Sequence, residues 1–226
     1  MVHTHPLLQF AENELQLIAL LFMAIVYALK IRWILKFPAG ADKQPPGNLV
    51  ASDGRKGAKR SLLSIAMPWA MGSTRQHPFL YLQFVIFHLG VAASIGMSFA
   101  IPYAPQAMGA RGTVLALQAL FVLASLTGVA RLIRRLSDPY LRAISSPDDY
   151  FSLALLMTWL AVSAWAASND RQAGELRLLV YFFMTAFFLV YVPFSKISHY
   201  IYYPFSRWYL GRTLGHRGAY PLVKGA

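Results

Sequence analysis

Apolar positions in this chain do not alternate with polar ones, nor do they recur only every third or fourth residue. They run continuously for about the 20 residues that a helix needs to cross a bilayer. Five such stretches predict five transmembrane helices, at about 15–35, 79–101, 113–136, 150–167 and 176–203. The first is interrupted near its end by Lys30 and Arg32, and the third is apolar to Ala130 and basic thereafter. The fifth is expected to kink at Pro193, which removes one backbone donor, and to continue to Tyr203 before Pro204. Strands of a membrane barrel would instead alternate over about 10 residues. The fold class is therefore an all-α integral membrane bundle, read as a single domain over residues 1–226. Residues 36–78 form a loop whose apolar part, Ser61 to Gly72, is too short to span and suits either an interfacial helix or the covered floor of the bundle.

Charge sets the expected orientation. Of the 21 Lys and Arg, 18 lie in the segments 30–78, 131–149 and 196–226, and 3 lie in the second–third and fourth–fifth loops. By the positive-inside rule the N-terminus is outside and the C-terminus cytoplasmic. A net charge of +12 could also signal nucleic acid, but these charges sit between apolar runs and fit topology and anionic lipid instead. No nucleic-acid partner is expected, whereas the basic side suits an acidic protein partner. The composition agrees: 57% apolar and 13% charged, against about 45–50% and about 25% in soluble domains. The chain has no cysteine, which excludes disulfides, thiolate-held iron–sulfur clusters and covalent haem attachment within it. The N-terminus, with Glu12 and Glu14 before its apolar run, does not read as a cleaved signal peptide. No phosphate loop, Rossmann fingerprint or HExxH motif is present. Five spans without an inverted repeat argue against a transporter.

Six histidines carry the chemical reading. His3, His5, His77 and His216 lie in tails or at a helix start and read as solvated or interfacial. His88 falls about 13–15 Å along the second helix from its beginning, at 1.5 Å per residue, where an ionisable side chain needs a cofactor, a partner or water. His199 lies on the extension of the fifth. Two imidazoles from different helices can ligate haem iron, or each can hydrogen-bond across a packed bundle. Gly90 and Gly96 are candidate sites of close approach by a porphyrin. Arg134 and Arg135 are candidate partners for haem propionates, as are Arg75 and Lys196, with plain topogenic anchoring as the alternative. The aromatics from Tyr200 to Tyr209 read as an interfacial belt, and Asp148 and Asp149 as caps of the fourth helix.

Three segments sharpen this. Phe87-His88-Leu89-Gly90, the stretch RLIRRLSDPYLRAISSPDDYF from Arg131 to Phe151, and Pro193-Phe194-Ser195-Lys196-Ile197-Ser198-His199 resemble the gamma subunit of respiratory nitrate reductase and its wider cytochrome b family. The resemblance covers roughly Gln76 to Tyr203. It implies haem b held by His88 and His199 on the cytoplasmic half of the bundle. The family's second pair of ligand positions corresponds to Ser98 and Tyr181, neither an ordinary haem b ligand, so the resemblance implies one haem rather than two. It further implies a membrane quinone as substrate, and an iron–sulfur or flavoprotein oxidoreductase subunit docked on the cytoplasmic face of a bacterial or archaeal inner membrane. The alternative is a haem-free membrane anchor or assembly subunit of such a complex.

Overall fold

The computed structural model of the protein describes residues 5–38, 40, 42–45, 52–171 and 174–220; His3 lies outside them. It is 83% helical, with no strand among the described residues. In chain order the helices are α1 (Pro6–Glu12), α2 (Glu14–Leu35), α3 (Gly54–Leu63), α4 (Gly72–Gln76), α5 (Pro78–Tyr103), α6 (Arg111–Ser137), α7 (Pro139–Ala143), α8 (Pro147–Ala166), α9 (Leu176–Tyr191) and α10 (His199–His216). Five stretches are long and apolar enough to cross a membrane: Pro6–Leu35, Pro78–Tyr103, Arg111–Ser137, Pro147–Ala166 and Leu176–Phe194. The protein is thus a multi-pass membrane protein in architecture, as the apolar runs predict.

Two boundaries differ from expectation. The first span begins at Pro6 rather than near Leu15. Pro6 occupies the first helical position, where no backbone donor is missed, and the His5 Nδ1 accepts from the Leu7 N–H at 3.2 Å. Glu12 does not end the run, because its carboxylate is buried against Arg171 at 2.7 Å. The fifth span does not continue as one kinked helix to Tyr203. α9 stops at Tyr191, short 3-10 turns follow at Val192–Phe194 and Lys196–Ser198, and Ser195 between them is extended. α10 is a separate helix that starts at His199 and runs through Pro204 to His216. The apolar stretch from Ser61 is likewise broken, into the end of α3, two 3-10 turns and α4.

The chain forms two compact units. The first comprises residues 1–29 and 82–197. Its core is a set of helical stripes: Phe87, Gly90, Ser94, Met97, Ser98 and Ile101 on α5; Phe121, Ala124 and Gly128 on α6; Trp159, Leu160 and Ser163 on α8; Tyr181, Phe182, Thr185 and Phe188 on α9. Spacing of three and four residues keeps each stripe on one face. Gly90 lies so close to Ala124 that a Cβ would overlap the alanine methyl, and a Cβ on Gly128 would lie 3.1 Å from the Phe87 ring and 2.5 Å from the Met157 side chain. Small residues of this kind let helix backbones approach where lipid supplies no hydrophobic drive. Buried hydroxyls and an indole are paired across helices: Ser94 with Ser163 at 2.6 Å, Tyr181 to the Ser94 carbonyl at 2.6 Å, and Trp159 Nε1 to Thr185 Oγ1 at 2.9 Å. Outward faces carry large apolar side chains such as Leu17, Ile25, Leu89 and Phe183, as a lipid-facing surface requires.

The second unit comprises residues 30–81 and 198–226, so far as they are described. α3 and α10 pack antiparallel, Asp53 N–H donating to the Gly215 carbonyl at one end and Arg207 to Ser61 O and Ser64 Oγ at the other. A Cβ on Gly211 would lie 2.5 Å from that of Ser61, so only glycine admits this approach. Arg217 grips Asp42 through two nitrogens, at 2.6 and 3.2 Å. That hydrogen-bonded guanidinium holds the Asp42 carboxyl below the usual carboxylate range. Because the folded pKa is lowered, the clamp contributes at neutral pH and is lost as acid protonates the carboxyl.

Packing at α5 gives a paired expectation. Gly90→Ala should destabilise the detergent-solubilised protein by roughly 1–3 kcal/mol, the usual cost of overpacking. Gly96→Ala, at a position with nothing within 4 Å, should be neutral or slightly stabilising. Thermal denaturation of both variants checks this, and equal behaviour of the two would refute the packing assignment.

Candidate functional site

His88 sits in the third turn of α5, half-buried. Its Nδ1 lies 2.8 Å from the carbonyl oxygen of Phe84, one turn earlier. A carbonyl can only accept, so Nδ1 carries the proton and Nε2 carries the lone pair. A backbone carbonyl fixing the ring in this tautomer is the arrangement that metal-ligating histidines use. The Phe84 ring lies 4.1 Å from the imidazole, centroid to centroid, and further restricts its rotation. The same residue in a helical interior without such a bond would have no preferred tautomer. Nε2 is then the ring nitrogen that could ligate a haem iron.

His199 is the first residue of α10 and is exposed within its own unit. Its ring meets that of Tyr200 edge-on at 6.5 Å. The other described histidines fall where bland roles place them. His5 caps α1, His77 ends α4, and the carbonyl of His216 accepts from Ser52 Oγ at 2.7 Å.

The two glycines named for porphyrin approach separate. Gly90 is filled by Ala124 and Leu160, so its small size serves helix packing and leaves no room for a macrocycle edge. Gly96 faces open space. Ser98 and Tyr181, the positions where the resembling family carries its other ligands, are built into the core. The Ser98 hydroxyl donates to Ile95 O at 2.7 Å, and Tyr181 is fully buried with its phenol on Ser94 O.

The basic residues at the end of α6 also divide. Arg135 donates to Ser145 Oγ at 2.6 Å and lies 3.7 Å from Asp149. Arg134, one residue earlier, is exposed. Arg131, which the sequence reading treated as part of the basic stretch, is half-buried inside the span, one turn beyond Gly128 on the same stripe. A run of three arginines gives no hint of which one faces inward; the stripe Phe121–Ala124–Gly128 is what identifies it.

Asp148 and Asp149 do more than cap α8. Asp149 closes a capping box with Ser146, whose N–H donates at 2.8 Å, and receives Lys196 Nζ at 2.5 Å. Asp148 accepts from the Tyr191 phenol at 2.5 Å, from Ser152 at 3.2 Å and from the Lys196 backbone N–H at 2.9 Å. Lys196, a propionate candidate by sequence, is thus engaged with α8. Tyr191, flanked by the rings of Phe151 and Phe187, was not distinguishable in sequence from the other aromatics of this span.

Truncating Asp148 leaves three donors without their acceptor. Asp148→Ala should lower stability by roughly 1–3 kcal/mol, while Asp148→Asn, which keeps one acceptor oxygen, should cost less. Melting curves of the purified protein decide it: an alanine variant as stable as the parent removes the staple role.

No family model matches the chain, and no solved structure matches it. A curated protein of Nitratidesulfovibrio vulgaris (strain Hildenborough) is similar to it, 28% identical over 170 residues that cover 70% of this chain and 71% of the relative. That relative is described by the single word "protein", so the likeness brings no activity with it.

Proposed function

We propose that this chain is the membrane cytochrome b subunit of a respiratory oxidoreductase, carrying electrons between quinone or quinol and an iron–sulfur or flavoprotein partner on the cytoplasmic side. One haem b is the carrier, with His88 and His199 as its axial ligands. The chain lies in a bacterial or archaeal cytoplasmic membrane, N-terminus outside and C-terminus inside. The observation that carries the reading is His88: an imidazole in the interior of an apolar helix, its Nδ1 proton committed to the Phe84 carbonyl so that Nε2 is the basic atom. The ligand role of His199 is supported by the PFSKISH element alone.

When bound, haem b would supply reversible one-electron chemistry, held by His88 and His199. The chain does the rest. Phe84 holds the imidazole in one tautomer, and the apolar helices keep water from the ligand. The basic cytoplasmic loops offer an acidic electron-transfer subunit a complementary face.

Two measurements test the proposal. Purified, reduced protein should show a narrow b-type alpha band, and His88→Ala or His199→Ala should each abolish it. A colourless parent would favour the haem-free anchor, and a band surviving both substitutions would refute the ligand assignment. Orientation is read independently. The chain has no cysteine, so single cysteines give labelling without background. Gln106→Cys should react with an impermeant maleimide in intact spheroplasts, and Ser137→Cys only after permeabilisation; the opposite pattern inverts the topology.

A further inference from the structure

The second unit is strongly basic. Residues 30–81 and 198–226 carry 13 Lys and Arg, with Asp42 and Asp53 as their only acidic side chains. Both carboxylates are used. Asp42 is held by Arg217, and Asp53 caps α3 by accepting from the Lys56 N–H at 2.9 Å. α3 gathers four of the cations, Arg55, Lys56, Lys59 and Arg60, and all are exposed. Its opposite face, with Gly57, Ala58 and Ser61, is buried against α10. A Cβ on Gly57 would overlap the Gly211 carbonyl oxygen. Tyr203 and Arg207 of α10 donate to the Leu62 and Ser61 carbonyls at 3.3 and 3.2 Å. The rotation of α3 is thereby fixed, with its cations directed away from α10. Among the described residues, none of the four lies within ion-pair distance of a carboxylate.

This face does not stay polar to its end. Leu63 follows Arg60 by three residues and Lys59 by four, so it shares their side of the helix. It is exposed, as are Ile65 and Trp69 in the turns beyond it, the indole by 68%. Cations that end in exposed aliphatic and indole groups suit a membrane surface: charge meets the headgroups and the apolar end meets the acyl boundary. The bilayer is also close along the chain. His77 alone separates α4 from the second span, and residues 195–198 alone separate the fifth span from α10. An acidic protein would answer the four charges, whereas anionic lipid answers both the charges and the apolar end.

We propose that α3 is a binding site for anionic phospholipid, in which Arg55, Lys56, Lys59 and Arg60 take the headgroup phosphates while Leu63, Ile65 and Trp69 enter the acyl boundary. This is more than the topogenic role of basic loops, because it assigns one helix face and requires a net negative headgroup. It does not depend on haem.

A depth measurement on the full chain in nanodiscs tests this. Ala66→Cys places a single thiol at an exposed position between Ile65 and Trp69, where it takes an environment-sensitive fluorophore. In discs of phosphatidylcholine mixed with phosphatidylglycerol, its emission should shift to the blue and be quenched by lipid brominated in the acyl chains. In discs of phosphatidylcholine alone, both effects should be smaller. Salt at about 1 M, where screening acts beyond about 3 Å, should erase the difference between the two discs. Arg55→Gln, Lys56→Gln, Lys59→Gln and Arg60→Gln together should do the same at low salt. If that variant does not fold, the comparison of the two discs and the salt series decide. A water-like emission without quenching in the mixed discs overturns the proposal and leaves the face to an acidic protein. Equal quenching in both discs, or quenching that survives neutralisation of the four cations, also overturns it, since the apolar end would then suffice. A colourless protein with the expected quenching would refute the proposed function and leave this site standing.

Discussion

The close approach of α5 to α6 and α8 is the constraint from which the arrangement of the first unit follows. In lipid, apolar side chains gain little by leaving the solvent, so helices are held by van der Waals contact and interhelical hydrogen bonds. Gly90 and Gly128 give that contact by bringing backbones together, and Ser94, Ser163 and Tyr181 add the hydrogen bonds one turn further on. Together they fix the rotation of α5 about its axis. Two residues along a helix are about 200° apart around it. With Gly90 turned into the α6–α8 seam, His88 is turned away from it. The contact that holds the helices together thereby sets the direction in which the one histidine of the unit's membrane interior can act.

Polar groups at two ends of the spans are answered by partners from other helices, as burial near lipid favours. Pro193 cannot donate, so α9 ends and its continuation needs new acceptors. The first turn of α8 supplies them. Asp148 takes the Lys196 N–H and the Tyr191 hydroxyl, and Asp149 takes the Lys196 ammonium. On the other end of the unit, Glu12 is buried with Arg171, and the backbone N–H of His5 donates to Glu175 at 3.1 Å. These closures explain why carboxylates border apolar runs in a chain with so few of them. They also mean that the Asp pair is occupied structurally, by the same break that separates α9 from the helix carrying His199.

Much of the architecture was legible in the residues. The five spans follow from run length alone, because a continuous apolar run of about 20 residues has few other solutions. The misjudged parts share a cause: they depend on which tertiary partner answers a polar group. Glu12 looked like the edge of a span until Arg171 neutralised it, and Pro193 looked like a kink until Asp148 and Asp149 captured the chain beyond it. Gly90 looked like room for a porphyrin because a glycine in sequence does not say which neighbour comes close. Arg131 was one of three arginines in a basic stretch, and only the buried stripe Phe121–Ala124–Gly128, one turn before it, marks it as lying inside the span. His88 was legible as an anomaly of depth, but its tautomer depended on the Phe84 carbonyl, a detail of helix geometry.

Ser98 and Tyr181 bear on what a single carrier can do. Small or polar side chains at these two positions could have left a cavity, which costs roughly 24 cal/mol per Å³ of void. Instead the phenol of Tyr181 reaches the Ser94 carbonyl, Ser98 turns its hydroxyl to its own helix, and their chain neighbours Phe182 and Met97 are buried. Interiors packed in this way do not open for a macrocycle without losing several of these contacts at once. Under the proposed function, electrons then have one station rather than two, because tunnelling falls off too steeply to cross a bilayer without a relay. Quinone must come to the half of the membrane where His88 lies. Under that reading, the groups around that turn of α5 would govern the exchange: the carbonyl that orients the imidazole and the aromatic ring beside it.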